Sequence, residues 1–194
     1  MRAAADQTAC QVPASDRDQT LLRRAGAGDD EAFRELYELH HRRVYFFLFR
    51  MLGEKTAAED ILVEAFTAAW RQARSFQGRS SVTTWILGIA RNLANNDLRS
   101  RRDHESIDDH HHLPADAVPG LEHSDRARVI AAALQRLSAK HREALDLVFY
   151  HELKYGEIAE LLGIPTGTVK TRVLHAKEAL RGVLTQMEVS RDAI

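Results

Sequence analysis

Apolar residues recur along most of the chain at intervals of three and four, the spacing that places them on one face of an α-helix. In the stretch AAEDILVEAFTAAW the apolar positions form one such stripe: Ile61, Leu62, Ala65, Phe66, Ala69 and Trp70. No alternation of apolar and polar residues with a period of two persists, so strands are not expected. The pattern predicts an all-α protein.

Residues typical of helix ends divide this pattern into elements. Asp29 begins an acidic cluster of the kind that starts a helix. Gly53 is expected to end that helix, and Thr56 with Glu59 to form the capping box of the next. A turn at Gln77–Gly78 precedes a further helix, SSVTTWILGIARNLANNDLRSRR.

The C-terminal segment YGEIAELLGIPTGTVKTRVLHAKEALR has the pattern of a helix-turn-helix, with the turn at Gly163 and the second helix starting at Thr166. At about 100° per residue, one stripe of the second helix turns inward: Val169, Val173, Ala176 and Leu180. The remaining positions suit a DNA groove, because basic groups bind phosphates, hydroxyls and imidazoles bond base edges, and an outward leucine can touch a thymine methyl. The candidates are Thr166, Lys170, Thr171, Arg172, Leu174, His175 and Lys177.

Charge is strongly segregated, although 27 basic and 28 acidic residues nearly cancel. Residues 71–102 hold seven arginines and one acid, whereas residues 103–125 hold seven acids, five histidines and no Lys or Arg. The second segment also contains two prolines and a glycine, which indicates a flexible acidic linker between two small helical domains. The predicted parts are a disordered tail (1–19), an N-terminal domain (20–102), the linker (103–125) and a C-terminal domain with the helix-turn-helix (126–194).

A strip rich in aromatic, arginine and amide side chains lies in the turn and helix before the linker. Aromatic rings stack on unpaired bases, amides and hydroxyls read base edges, and arginines hold the backbone, which is the chemistry of single-strand recognition. Each aromatic residue could instead belong to the core. The candidates are Phe76, Arg79, Ser80, Thr84, Trp85, Arg91, Asn92, Asn95 and Asn96.

Three segments resemble, in order and spacing, the extracytoplasmic-function (ECF) group of bacterial sigma factors: AEDILVEAFTAAW, RSFQGRSSVTTWILGIARNLANNDLRSRR and LSAKHREALDLVFYHELKYGEIAELLGIPTGTVKTRVLHAKEALR. The resemblance implies that the N-terminal domain binds the RNA polymerase core and opens the −10 promoter element. It implies that the C-terminal domain reads the −35 element as duplex DNA. It also implies an anti-sigma factor as a further partner.

The resemblance assigns roles to single residues as well. Asp60 and Glu64 match the acidic helix that meets a basic coiled coil of the polymerase's largest subunit, and Val63 stands where the family commonly has glutamine. Three apolar residues of this helix would be mainly core: Leu62, Phe66 and Trp70. The −10 loop and helix match residues 76–96, and His175 stands where arginine is often found. The −35 contacts fall on Lys170, Thr171, Leu174 and His175.

Two other functions fit parts of the sequence. A stand-alone helix-turn-helix regulator would explain the C-terminal half, but it leaves Asp60, Glu64 and the strip without a purpose. A metal protein would use linker residues: His104, His110, His111, His112, His123, Asp108 and Asp109. Consecutive histidines in an acidic, proline-bearing segment are more often a solvated linker, so no metal or other cofactor is expected.

The sequence lacks the features that several classes of protein require. It contains no Ser/His/Asp set, phosphate-binding glycine loop or HExxH motif, so an enzyme is not expected. The single cysteine, Cys10, excludes an internal disulfide. The apolar run from Val44 to Leu52 is too short for a membrane span and is interrupted by Arg50. We therefore predict a soluble, cytoplasmic protein with no membrane insertion.

Overall fold

The structure, a computed structural model, describes residues 14–104 and 125–192. This part of the chain contains helices and no strand, as the apolar period predicts. The α-helices are α1 (Ala14–Gly26), α2 (Asp30–Leu52), α3 (Lys55–Gln72), α4 (Val82–His104), α5 (Asp125–Gln135), α6 (Ala139–Leu145), α7 (Tyr155–Leu162) and α8 (Thr166–Asp192). A 3-10 turn, Ala73–Ser75, follows α3, and a π-helical turn, Asp146–Tyr150, continues α6.

Each end of α2 is set by a single residue. The Asp29 carboxylate accepts a hydrogen bond from the backbone N–H of Ala32 at 3.0 Å and so caps the first turn. Gly53 ends the helix with a φ of 72°, a left-handed conformation that favours glycine. The capping box predicted at Thr56 is absent, because α3 begins two residues earlier than a Thr56 cap implies and its N-cap residue, Glu54, makes no side-chain cap.

Helix α1 begins inside the predicted tail. Residues 1–13 lie outside the described part of the chain, but residues 14–19, which were expected to be disordered, are helical. Leu22 is only 1% exposed, and Arg17 forms an ion pair with Glu35 of α2. These contacts with α2 stabilise the start of α1. The small, polar residues of this segment do not indicate such contacts in the sequence.

One continuous core joins the two halves of the chain. Most of its residues come from α1 to α4, but the C-terminal half contributes others to the same cluster: Leu147, Leu153, Ile158, Ala159, Val169 and Val173. Helix α7 packs directly against α4. A second, smaller cluster lies among α5, α6 and α8. The two predicted domains are therefore docked against each other in this conformation.

Trp70 departs from the buried stripe of α3. The other five residues of the stripe are buried, whereas Trp70 is 42% exposed. Its ring stacks on Phe33 of α2 with the ring centres 4.8 Å apart. The expectation that Trp70 is mainly core is therefore wrong, because only one face of its ring is covered near the end of α3.

Candidate nucleic-acid interface

Helices α7 and α8 form the predicted helix-turn-helix. Ile158 of α7 is fully buried, and Gly163 ends the helix with a φ of 66°. The backbone N–H of Ile164 donates a hydrogen bond to the carbonyl of Ala159 at 3.1 Å, which closes the turn. Helix α8 then begins at Thr166, as predicted.

Helix α8 separates an inner face from an outer face as its 100° rotation predicts. The residues expected to face inward are buried or partly buried: Val169, Val173, Ala176 and Leu180. Six of the seven DNA-reading candidates are exposed: Thr166, Lys170, Thr171, Leu174, His175 and Lys177. Arg172 is partly buried at the edge of this face. Leu174 is 54% exposed, so the outer face presents one large apolar side chain among its polar residues.

Thr171 and Lys177 each make a contact on this outer face. The Thr171 hydroxyl donates a hydrogen bond to the carbonyl of Gly167 at 3.0 Å, which leaves its oxygen able to accept one. The Lys177 ammonium lies 5.1 Å from the ring centre of Phe149, which is 61% exposed. Sequence analysis missed Phe149, because the π-helical turn shifts it from the register of an uninterrupted α-helix.

The aromatic strip is assembled by the start of α4 and the turn before it. Gly78 turns the chain with a φ of 67°. The Ser81 hydroxyl then accepts a hydrogen bond from the backbone N–H of Thr84 at 3.1 Å. The Phe76 and Trp85 rings lie 5.1 Å apart at an angle of 53°, and both are partly buried against the core. Each ring therefore packs on one side and is open on another.

The polar residues of the strip fall into two groups. Arg79, Asn92 and Asn96 are exposed, and Ser80 and Asn95 are partly buried. The other two are covered by the C-terminal half of the chain. These two are Thr84 and Arg91. Arg91 is held by a pair of opposite charges and Thr84 by a hydrogen bond from its neutral hydroxyl, so the contact of Arg91 is the stronger.

Thr84 and Arg91 are the covered pair. Thr84 is 3% exposed, and its hydroxyl donates a hydrogen bond to Glu157 of α7 at 3.2 Å. The Arg91 guanidinium pairs with Glu143 of α6 at 2.7 Å. Two of the nine candidates are thus covered by the other half of the chain, and the other seven are exposed or partly buried.

An acidic surface lies on α3, which packs beside α4. Asp60 and Glu64 are both exposed and one helical turn apart. Val63, between them, is 62% exposed. Two carboxylates around an exposed apolar side chain suit a basic partner that also offers an apolar contact.

A buried charged cluster joins the two halves of the chain. Arg50 Nε of α2 lies 2.5 Å from Asp146 Oδ1, and each side chain is 11% exposed. This contact is an ion pair without the angle of a directed hydrogen bond. The Arg50 guanidinium also lies 4.0 Å from the ring centre of Tyr150. Pairing offsets part of the cost of removing these charges from water.

His151 lies at the centre of this cluster and is 1% exposed. Its Nδ1 accepts a hydrogen bond from Arg43 Nε at 3.2 Å, so the ring proton of the neutral form lies on Nε2, which is also 3.2 Å from Arg50 Nη2. His151 Nε2 is 3.4 Å from Asp146 Oδ2. Burial lowers the pKa of His151 below its ordinary value, and this outweighs the opposing effect of the hydrogen bond to Asp146. The junction therefore holds a neutral histidine.

The described residues contain no group of three or more His, Cys, Asp or Glu side chains placed to bind a metal ion. His104 is the last residue of α4. The other residues of the metal hypothesis lie outside the described part: Asp108, Asp109, His110, His111, His112 and His123. None of the helices within residues 14–104 and 125–192 has the length and apolar character that crossing a membrane requires.

Comparison with known proteins decides between the functions. Residues 36–104 match the family Sigma-70 region 2, and residues 127–180 match Sigma-70, region 4. The chain is 32% identical to the ECF RNA polymerase sigma factor SigW of Bacillus subtilis over 182 residues, which is 86% of this chain and 96% of SigW. The chain belongs to the ECF family of RNA polymerase sigma factors.

Other relatives and solved structures agree. This ECF sigma factor is 31% identical to SigL of Mycobacterium tuberculosis over 177 residues, covering 88% of this chain and 100% of SigL. It is similar to RpoE of Bartonella quintana, solved in complex with the anti-sigma factor NepR, with a TM-score of 0.65 at 26% identity, covering 79% of this chain and 96% of RpoE. CnrH, solved with the cytosolic domain of CnrY, shares the fold, with a TM-score of 0.66 at 23% identity, covering 88% of this chain and 99% of CnrH.

This ECF sigma factor directs promoter-specific initiation of transcription by RNA polymerase. The region 2 match accounts for the N-terminal half, which a stand-alone helix-turn-helix regulator would leave unexplained. Sigma factors are in general initiation factors and not enzymes.

Proposed function

We propose that three surfaces of this ECF sigma factor divide the work of initiation. The exposed face of α3 binds the polymerase core, the strip between Phe76 and Asn96 holds the melted −10 strand, and the outer face of α8 reads the −35 duplex. The first two belong to region 2 (residues 20–102) and the third to region 4 (residues 126–194), with the linker (103–125) between them. The chain contributes no catalytic residue, and it acts in the cytoplasm, where its polymerase and DNA partners lie.

The observation that carries this proposal is the two-faced character of α8. Leu174 is exposed between polar neighbours on a helix whose inner face is buried. A helix with this outer face fits the major groove, where Leu174 can contact a thymine methyl and Thr171 and His175 can bond base edges. Lys170 and Lys177 flank them and can bind phosphates.

The strip supplies a different chemistry for the −10 element. Arg79 is exposed in the turn before α4 and can hold a phosphate. The open sides of Phe76 and Trp85 can stack on bases that have left the duplex. Asn92 and Asn96 are exposed and four residues apart, so their amides lie on the same side of α4 and can read base edges.

The third surface accounts for binding to the polymerase. Asp60 and Glu64 are placed to pair with basic residues of a polymerase coiled coil, and Val63 supplies an apolar contact between them in place of the family's usual glutamine. We also propose that an anti-sigma factor binds this chain, because RpoE, at 26% identity, was solved in complex with one.

Binding to the core enzyme without promoter DNA tests this proposal. The variant Asp60→Arg with Glu64→Arg should no longer co-purify with core polymerase, because like charges would then face each other. The matched control Glu31→Arg with Glu38→Arg, which reverses two exposed acids of α2, should co-purify as the wild type does. Unimpaired co-purification of the α3 variant, with an unchanged helical circular-dichroism signal, would contradict the proposal.

A further inference from the structure

The ring of Phe149 is exposed beside the DNA-reading helix, and none of the three surfaces proposed above includes it. It belongs to the π-helical turn Asp146–Tyr150, a type of turn that occurs often at functional sites. The rest of the turn is fixed from within: Leu147 is fully buried, and the backbone N–H of His151 donates a hydrogen bond to the carbonyl of Asp146 at 3.1 Å. Phe149 is therefore presented outward from an anchored backbone.

The ring of Phe149 contacts one residue of the DNA-reading helix, Lys177 of α8. The Lys177 ammonium lies 5.1 Å from the ring centre, within the range of about 6 Å at which a cation is attracted to an aromatic face. Lys177 is exposed, and within the part of the chain that the structure describes it pairs with no carboxylate. The contact therefore restrains the side chain and leaves its charge available to an anion.

Lys177 shares one flank of α8 with Lys170. The two are seven residues apart, so at about 100° per residue they project on nearly the same side, about 10.5 Å apart along the helix axis. Both are exposed, as are the base-reading candidates Thr171 and Leu174 next to them. Lys170 makes no ion pair or ring contact within residues 14–104 and 125–192. The flank thus carries one restrained lysine and one unrestrained lysine.

Restraint of a lysine before DNA arrives favours binding. A free lysine loses much of the rotational freedom of its four-carbon stem when it binds a phosphate, and this loss weakens the complex. A contact that already holds the stem reduces the loss. The ring covers one side of the ammonium, which has three N–H donors, so the others can still meet a phosphate. The contact also becomes stronger when DNA displaces the surrounding water.

We propose that Phe149 is a positioning residue for the −35 duplex: its ring holds the Lys177 ammonium at the flank of α8, where it meets a phosphate of the DNA backbone. Phe149 acts through Lys177 and reads no base. Its loss therefore weakens binding to all −35 sequences by the same factor and leaves the order of preference among them unchanged. This inference rests on the proposed role of the outer face of α8.

A double-mutant cycle tests whether Phe149 acts through Lys177. The binding protein is holoenzyme assembled from the full-length chain and core polymerase. The probe is a fluorescent duplex with the −35 element of a promoter chosen from transcripts that rise when the chain is overproduced, and it ends before the −10 element. Phe149→Leu should weaken binding about two- to fivefold, the worth of an exposed cation–π contact. In a protein that already carries Lys177→Gln, Phe149→Leu should have no further effect.

The other lysine of the flank is the matched control. Lys170→Gln removes the same charge two helical turns away, from a side chain without the ring contact. In that background Phe149→Leu should still weaken binding about two- to fivefold, because the contact with Lys177 remains. A loss on Phe149→Leu that persists in full in the Lys177→Gln protein would overturn the inference, since Phe149 would then act without Lys177.

A conservative variant separates the ring's role from a structural one. Phe149→Tyr keeps an aromatic face towards Lys177 and should bind the duplex as the wild type does. Phe149→Leu should leave the free energy of unfolding in urea nearly unchanged, because the side chain is 61% exposed. Binding by the tyrosine variant that is as weak as that of the leucine variant would overturn the inference, and so would wild-type binding by Phe149→Leu.

Salt dependence distinguishes failure of this inference from failure of the proposed function. Lys177→Gln should make the slope of log binding constant against log salt shallower by about 0.9, the effect of one lost phosphate contact. An unchanged slope and affinity in Lys177→Gln would remove the phosphate contact itself and this inference with it. A shallower slope with additive effects of Phe149→Leu and Lys177→Gln would overturn only the positioning role of Phe149.

Discussion

The imidazole Nδ1 of His151 accepts a hydrogen bond from Arg43 Nε at 3.2 Å across the junction between the two regions, and the two residues are 108 positions apart in the sequence. A guanidinium has no acceptor, so this contact exists only while Nδ1 carries no proton. Protonation of His151 would place two N–H groups face to face. It would also add a positive charge between Arg43 and Arg50, and among the described residues that contact the ring only Asp146 would oppose it.

Acidification should therefore open the junction. Burial lowers the pKa of His151 in the docked form, whereas separated regions return it towards the ordinary value of 6.5. The contribution of His151 to docking is then complete above 6.5 and is lost as the pH falls from there through the lowered pKa. Spin labels on cysteines that replace Glu38 of α2 and Glu178 of α8, in a protein carrying Cys10→Ser, should show longer distances between the two regions on going from about pH 8 to about pH 5.5. His151→Gln should flatten this dependence, and an unchanged pH profile in that variant would refute the assignment to His151.

Two leucines of α2 should differ sharply in their effect on stability. Leu48 is fully buried, so Leu48→Ala should lower the free energy of unfolding by about 2–5 kcal/mol through lost transfer energy and a residual cavity. Leu39, on the same helix, is 45% exposed, and Leu39→Ala should change it by about 0.5 kcal/mol or less. Urea denaturation measures both, and equal destabilisation would mean that the packing of α2 is different from that described.

A pair of threonines on α8 tests its outer face. Thr171 and Thr185 are both exposed, and each hydroxyl donates a hydrogen bond to the carbonyl four residues earlier. Only Thr171 lies among the residues that we assign to the −35 element. Thr171→Ala should weaken binding of region 4 to −35 duplex DNA by about 1–3 kcal/mol, the worth of one base contact.

Thr185→Ala is the control for that measurement, because it removes the same hydroxyl and the same local hydrogen bond. It should leave duplex binding unchanged. Equal losses in the two variants, measured by fluorescence anisotropy, would assign the effect to helix stability and remove Thr171 from the DNA contacts.

Local features of the sequence predict much of this molecule. The inner stripe of α8 at Val169 and Val173 follows from helix geometry alone. The turns at Gly53 and Gly163 follow from the need for a positive φ, which glycine meets at little cost. The family resemblance predicts the arrangement of regions 2 and 4, and the family matches confirm the membership.

Contacts between distant parts of the chain account for what the sequence does not reveal. Glu157 lies 73 residues from Thr84, and no local pattern links the two. The same holds for Arg91 and Glu143, 52 residues apart. Trp70 lies on the apolar stripe of α3. Whether another helix covers that position depends on tertiary packing, which the local pattern does not show.

Opening of promoter DNA tests the central assignment most directly. The holoenzyme, reconstituted from this sigma factor and core polymerase, is placed on a promoter chosen from transcripts that rise when the chain is overproduced. Wild-type holoenzyme should make thymines of the −10 element reactive to permanganate. The variant Arg79→Ala with Asn92→Ala should bind core and −35 duplex normally but leave those thymines unreactive, whereas Ser100→Ala, an exposed site on α4, should behave as the wild type does. Full permanganate reactivity in the Arg79 and Asn92 variant would contradict the assignment of the strip to the −10 strand.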